Sequence, residues 1–187
     1  MRKIIFLAII TMVGCLALPA QNNGFTVELS TVNSLKEREN YSEYHGLELN
    51  GGYQLNFLNR IYVEPQIGLT WLSHHKETLY GVYIDENGNM VAPHFDEGNK
   101  STLGINLGAI GGVKICRAIG LFTGPDVKFD VYSQGDEDKV TSAWWRFGLD
   151  VFVWKLRFRA SVGVSMNHPY YEDERNDNYT IGIAYQF

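Results

Sequence analysis

The chain has 187 residues, 45% hydrophobic and 20% charged, a size that suits one domain with a sizeable core. Its 16 Lys and Arg against 21 Asp and Glu give a net charge of −5 and a pI near 5.5, which argues against a nucleic-acid binder, since that function needs a concentrated basic surface. After residue 20 no apolar run approaches the ~20 residues of a membrane-spanning helix. A helical membrane protein is excluded.

The first 20 residues form an export signal. Arg2 and Lys3 give the positive start, 4–13 the apolar run, and Leu18-Pro19-Ala20 the cleavage site, so 1–20 is the signal peptide and 21–187 the mature domain. Met12-Val13-Gly14-Cys15 loosely matches a lipoprotein cleavage box, with Met out of place at its first position. Cleavage after Ala20 removes Cys15 and leaves Cys116 alone, so the mature framework is expected to hold without a disulfide. It also removes Arg2 and Lys3, leaving 14 positive against 21 negative groups, or −7.

From residue 24 onward apolar and polar residues alternate in segment after segment, without helical periodicity. Eight strands are predicted, at 24–33, 44–57, 60–75, 101–116, 119–133, 141–153, 155–167 and 177–187. Most are longer than the usual globular strand of about five or six residues, and a tilted membrane-crossing strand of about 9–11 fits them better. The connections alternate: 34–43, 76–100, 134–140 and 168–176 are long or charged, whereas Leu58-Asn59, Arg117-Ala118 and Trp154 are minimal. All short turns therefore fall at one end, the arrangement of an eight-stranded antiparallel up-and-down transmembrane β-barrel with short periplasmic turns and longer extracellular loops.

Alternation alone leaves the inward face open, because a soluble barrel has the same period with an apolar lumen. Residue size decides it. The polar face carries Gly52, Gly68, Gly104, Gly108, Gly112, Gly120, Gly124 and Gly148, which suit a crowded lumen and would weaken a solvated outer surface. The apolar face then looks outward, with Tyr53, Phe57, Trp71, Trp145, Phe158, Tyr185 and Phe187 among its rings. Facing inward are Glu28, Glu48, Glu64, Asp126, Asp130 and Asp150 against Lys114, Lys128, Arg146, Lys155, Arg157 and Arg159. Six acids meeting six bases in a narrow lumen predict a neutral, cross-braced plug. The alternative use of the same groups is a narrow ion path, which calls for spare polar space or an excess of one charge.

The signal peptide, the eight segments and the ending Tyr179-Thr180-Ile181-Gly182-Ile183-Ala184-Tyr185-Gln186-Phe187 resemble the small eight-stranded outer-membrane barrels of the OmpA/OmpX type, within the broader outer-membrane β-barrel domain family. The resemblance covers 24–187 and is architectural apart from the final aromatic. It implies that Ile181, Ile183, Tyr185 and Phe187 form the signal read by the barrel-assembly machinery, and that the protein sits in the outer membrane of a Gram-negative bacterium in contact with lipid and lipopolysaccharide. The peptidoglycan-binding domain that follows the barrel in some members is absent from this sequence.

Sites for chemistry are sparse. The long loops are acidic: 34–43, 76–99, 134–140 and 168–177 together sum to −10, leaving the rest of the mature chain at +3. They form either a solvated crown or a surface for divalent cations, lipopolysaccharide or an extracellular partner. Asp85-Glu86-Asn87-Gly88-Asn89 departs from a calcium loop, with Met90 at the turn-glycine position and Asp96 at that of the bidentate Glu, and reads better as a projecting hairpin turning at Asn87-Gly88. His45, His74, His75, His94 and His168 all fall at the loop end without metal-ligand spacing, and neither a metal nor a cofactor is expected. Ser73, His75 and Glu77 share one outward strand face and hold the parts of an acyl-transfer site. Neighbours on one strand face are about 6.5–7 Å apart, and the order reverses the His-x-Ser of the barrel lipid A hydrolases. The expected role is therefore non-enzymatic, in envelope structure or surface interaction. An outer-leaflet lipid A hydrolase, a narrow channel and a soluble periplasmic ligand-binding barrel are the alternatives.

Overall fold

The computed structural model describes residues 23–35, 41–57, 60–79, 83–84, 90–91, 94–134, 141–166 and 177–187. Residues 1–22, with Cys15, and parts of the long loops lie outside the described residues. Among the described residues there are ten strands: β1 (Gly24–Ser34), β2 (Tyr41–Phe57), β3 (Ile61–Leu79), β4 (Tyr83–Ile84), β5 (Met90–Val91), β6 (His94–Lys114), β7 (Ile119–Ser133), β8 (Thr141–Val153), β9 (Leu156–Ser165) and β10 (Asn178–Gln186).

Eight of them close into a barrel in the order β1-β10-β9-β8-β7-β6-β3-β2. Every pairing is antiparallel, and the closure runs from Thr26↔Gln186 to Ser34↔Asn178. Closure leaves no barrel strand with an open edge. The strand ends Phe57 and Ile61, Lys114 and Ile119, and Val153 and Leu156 lie at one end of the barrel together with both ends of the described chain; this is the turn end. The opposite end is the loop end.

Burial has period two along the barrel strands: on β1, residues 24, 26, 28, 30 and 32 are buried and the residues between them exposed. Two elements depart from the sequence reading. β3 and β6 run on past their neighbours as a ribbon paired to Leu79↔His94, with a register shift between His75 and Glu77, so 76–79 and 94–100 are strand where a loop was expected. Beyond it β4 and β5 pair Tyr83↔Val91 and Ile84↔Met90, an arrangement centred on Asn87 as a projecting hairpin requires. The turn itself lies outside the described residues.

The second departure is at the turn end. Val153↔Leu156 closes a two-residue turn made of Trp154 and Lys155, in which Trp154 takes φ 57°. That left-handed conformation is strained for a bulky residue. Lys155, expected in the lumen, is exposed in this turn, with its Nζ 5.9 Å from the Trp154 ring centroid and 5.7 Å from that of Tyr185. The physical reason is that a two-residue hairpin turn ends the strand alternation from which its inward direction was inferred.

Inward glycines make room for rings. Gly112 pairs with Tyr62 on one side and Phe122 on the other, and a Cβ there would lie 2.1 Å from the Tyr62 ring. Its outward neighbour Gly111 has open space, the nearest atom to a Cβ being the Thr123 carbonyl oxygen at 3.8 Å. Gly112→Ala is therefore expected to cost about 1–3 kcal/mol, and Gly111→Ala about 0.5 kcal/mol or less. Urea unfolding midpoints of the two variants measure the difference.

Candidate functional site: the charged barrel interior

Eleven of the twelve charged residues assigned to the lumen are buried there: Glu28, Glu48, Glu64, Lys114, Asp126, Lys128, Asp130, Arg146, Asp150, Arg157 and Arg159. With Lys155 outside, six acids face five bases among the described residues. The lumen is one negative charge from the neutrality expected.

The groups are stacked along the axis. Nearest the turn end, Arg157 and Arg159 on β9 meet Asp150 on the adjacent β8 and reach across the lumen to Glu28 on β1 and Glu64 on β3. Glu64 takes both guanidinium nitrogens of Arg157, Nη2 at 2.8 Å and Nη1 in a short contact. It also accepts from Thr26 Oγ1 at 2.8 Å and Gln66 Nε2 at 2.9 Å. Arg159 donates Nε and Nη2 to Asp150 at 2.8 and 3.0 Å, and Nη1 to Glu28 at 2.8 Å. Such forked pairs satisfy several lone pairs at once, as a desolvated carboxylate needs.

Around this cluster lies a group of apolar residues that the strand reading passed over: Tyr62, Ile110, Phe122 and Phe152. Tyr62 donates its hydroxyl to Asp150 at 2.7 Å, Arg159 lies 4.5 Å from the Phe122 ring centroid, and Lys114 Nζ lies 5.1 Å from that of Phe152 while donating to Asn56 at 2.7 Å. The missed signal was parity, because these residues share strand parity with the charges and two of them stand opposite a glycine.

Higher up, Arg146 forks onto Glu48 at 2.7 and 3.1 Å and meets Asp126 at 2.6 Å. Lys128 pairs with Asp130 at 2.9 Å. Toward the loop end the described interior finishes in Val32, Tyr44 and Leu72. Each charged group is held by a fixed partner and almost fully excluded from water.

The outer surface is the inverse. Leu29 is 51% exposed, Ile67 60% and Ile181 59%, and among the described residues no outward position between the turns and the loop-end rim carries a charge. Outward hydroxyls are bonded within the barrel: Thr123 donates to the Arg146 carbonyl at 3.0 Å and accepts from Trp145 Nε1 at 2.6 Å. Ile181, Ile183 and Phe187 of the expected assembly signal are exposed on the outward side of β10, and Tyr185 packs edge-on against Phe187 at 5.0 Å.

For Ser73, His75 and Glu77, the side chains of the latter two lie outside the described residues. The backbone register shift falls between them, and Ser73 pairs directly with His45 of β2 and Ser101 of β6. Among the described residues no three His, Cys, Asp or Glu side chains are arranged to hold a metal ion.

No family model and no curated protein matches the chain. Solved structures of similar trace include Ail of Yersinia pestis in a phospholipid bilayer nanodisc, with TM-score 0.48 and 16% identity over 89% of this chain and 100% of that one. Ail crystallised with the heparin analogue sucrose octasulfate gives 0.49 and 15%, covering 88% and 97% of the two chains. A de novo designed transmembrane β-barrel gives 0.44 and 12%, covering 89% and 98%. At this identity nothing about binding or activity passes from those proteins to this chain.

The interior makes a direct prediction. Arg157→Met leaves Glu64 buried without its main partner and is expected to cost about 3–5 kcal/mol, whereas Lys155→Gln stays within about 0.5 kcal/mol. Both are read from urea unfolding in phosphatidylcholine vesicles, and equal effects would count against the separation of these two cations.

Proposed function

We propose that this chain is an integral outer-membrane β-barrel protein of the small eight-stranded kind, non-conducting and non-enzymatic, serving envelope structure or surface interaction through its acidic loops. The observation that carries the reading is the inversion of the barrel: charges buried inside and an uncharged apolar surface outside. In water this arrangement would expose the apolar band and desolvate the charges. In a bilayer both faces are favourable.

The dimensions support the same reading. Outward residues from Ile61 to Trp71 on β3 extend about 34 Å at about 3.4 Å per residue, and a strand tilt of about 40° reduces this to a height of about 26 Å, close to the band of such barrels. Exposed Trp154 in the turn and Trp71 and Trp145 higher up suit a chain anchored by amphipathic rings. The paired charges disfavour a continuous ion path, and they leave no apolar lumen for a soluble carrier's ligand.

Unboiled protein from outer membranes is expected to migrate differently from boiled protein in a detergent gel, and to give no steady current in a planar bilayer. Recovery in the soluble periplasmic fraction would overturn the membrane reading. Discrete conductance steps would overturn the plugged lumen alone.

A further inference from the structure

Two shallow apolar grooves mark the outward surface, each over an outward glycine whose missing side chain opens the space. One, of about 500 Å³, runs over Gly51 beside Phe25, Tyr53 and Ile67. The other, of about 590 Å³, is lined on its outward side by Ile61, Val63, Gly111, Val113, Leu121 and Thr123. Their surroundings differ. The Gly111 groove reaches the turn end: Arg60 immediately precedes Ile61, and its carbonyl accepts from the Lys114 amide at 2.6 Å. Arg117 lies in the next turn, between β6 and β7. Both arginines are exposed. The Gly51 groove is centred further along β3, where Gly51 pairs with Ile67, six residues beyond Ile61.

From this juxtaposition we infer that the Gly111 groove is a phospholipid site: one acyl chain lies over Gly111, and Arg60 and Arg117 hold the headgroup phosphate. The inference rests on the membrane reading above. A groove of this volume is within the range of small-molecule sites, and its walls offer an acyl chain apolar contact on three strands. Thr123 does not oppose this, because its hydroxyl is already bonded inside the barrel wall. Guanidinium groups suit phosphate oxygens because they present planar, paired donors. Arg60 and Arg117 stand in the two neighbouring turns at which the apolar wall ends, the level at which a lipid seated in the groove would present its phosphate. An anionic headgroup is favoured over a zwitterionic one by the same two charges.

The test uses the chain in nanodiscs of phosphatidylcholine and phosphatidylglycerol, followed by native mass spectrometry of the released protein. The wild type is expected to retain one phosphatidylglycerol. Arg60→Gln with Arg117→Gln is expected to lower retention about 30-fold, and Gly111→Leu to abolish it by filling the groove. Gly51→Leu fills the other groove and keeps retention, which separates the site from a general change in the barrel wall. Protein that enters the nanodiscs but retains lipid equally in all four forms overturns the site and leaves the membrane reading standing. Protein that fails to enter overturns both.

Discussion

The five-residue cluster of Arg157 and Arg159 with Glu28, Glu64 and Asp150 is the constraint on which the rest of the molecule depends. It joins strands that are distant in sequence, with the Arg159–Glu28 bond spanning 131 positions, and fills the lumen where the barrel closes. Buried ion pairs are a poor source of net stability when a hydrophobic replacement could fill the same space. Here the outside of the barrel is apolar, so the inside must be the polar face of each alternating strand, and a polar face in a narrow space is stable only when its groups satisfy one another. The bidentate forks, the added donors from Thr26 and Gln66, and the Gln54 side-chain oxygen that accepts from Arg157 meet that requirement.

The aromatic residues inside follow from the same shortage of room. A lumen of charges alone would leave gaps around planar guanidinium groups. Tyr62, Phe122 and Phe152 fill them, and inward glycines yield the volume those rings occupy. Tyr62 belongs to both systems, since its ring packs edge-on with Phe152 at 5.9 Å while its hydroxyl completes the Asp150 shell. The plug is thus one mixed unit in which ring stacking and charge pairing fix each other's geometry.

The two ends of the barrel are unequal in chemistry. At the turn end, short connections carry the exposed cations Arg60, Arg117 and Lys155. At the loop end, the sequence concentrates acids in 34–43, 76–99, 134–140 and 168–177. With cations at one rim, net acidic loops at the other and an uncharged band between them, the proposed seating in a bilayer resists movement along the normal, because either rim would have to be desolvated to slide.

Strand parity made the fold legible from sequence, because the period of two is local: each residue's face depends only on its neighbours along the strand. The placement of eleven charged residues in the lumen and the antiparallel order followed from it. Parity failed where the strand ended, as with Lys155, whose direction is set by a turn with Trp154 at positive φ. It was silent on partners, since nothing local says that Glu64 meets Arg157 instead of Lys128, or that His45 lies beside Ser73. The interior rings have the same parity as the charges, but the reading named only the charged and glycine positions of that face and passed them over. Pairing, the length of the β3–β6 ribbon and the groove over Gly111 were decided only by tertiary structure, because each depends on cross-strand register and barrel closure, quantities that join residues with no sequence relation.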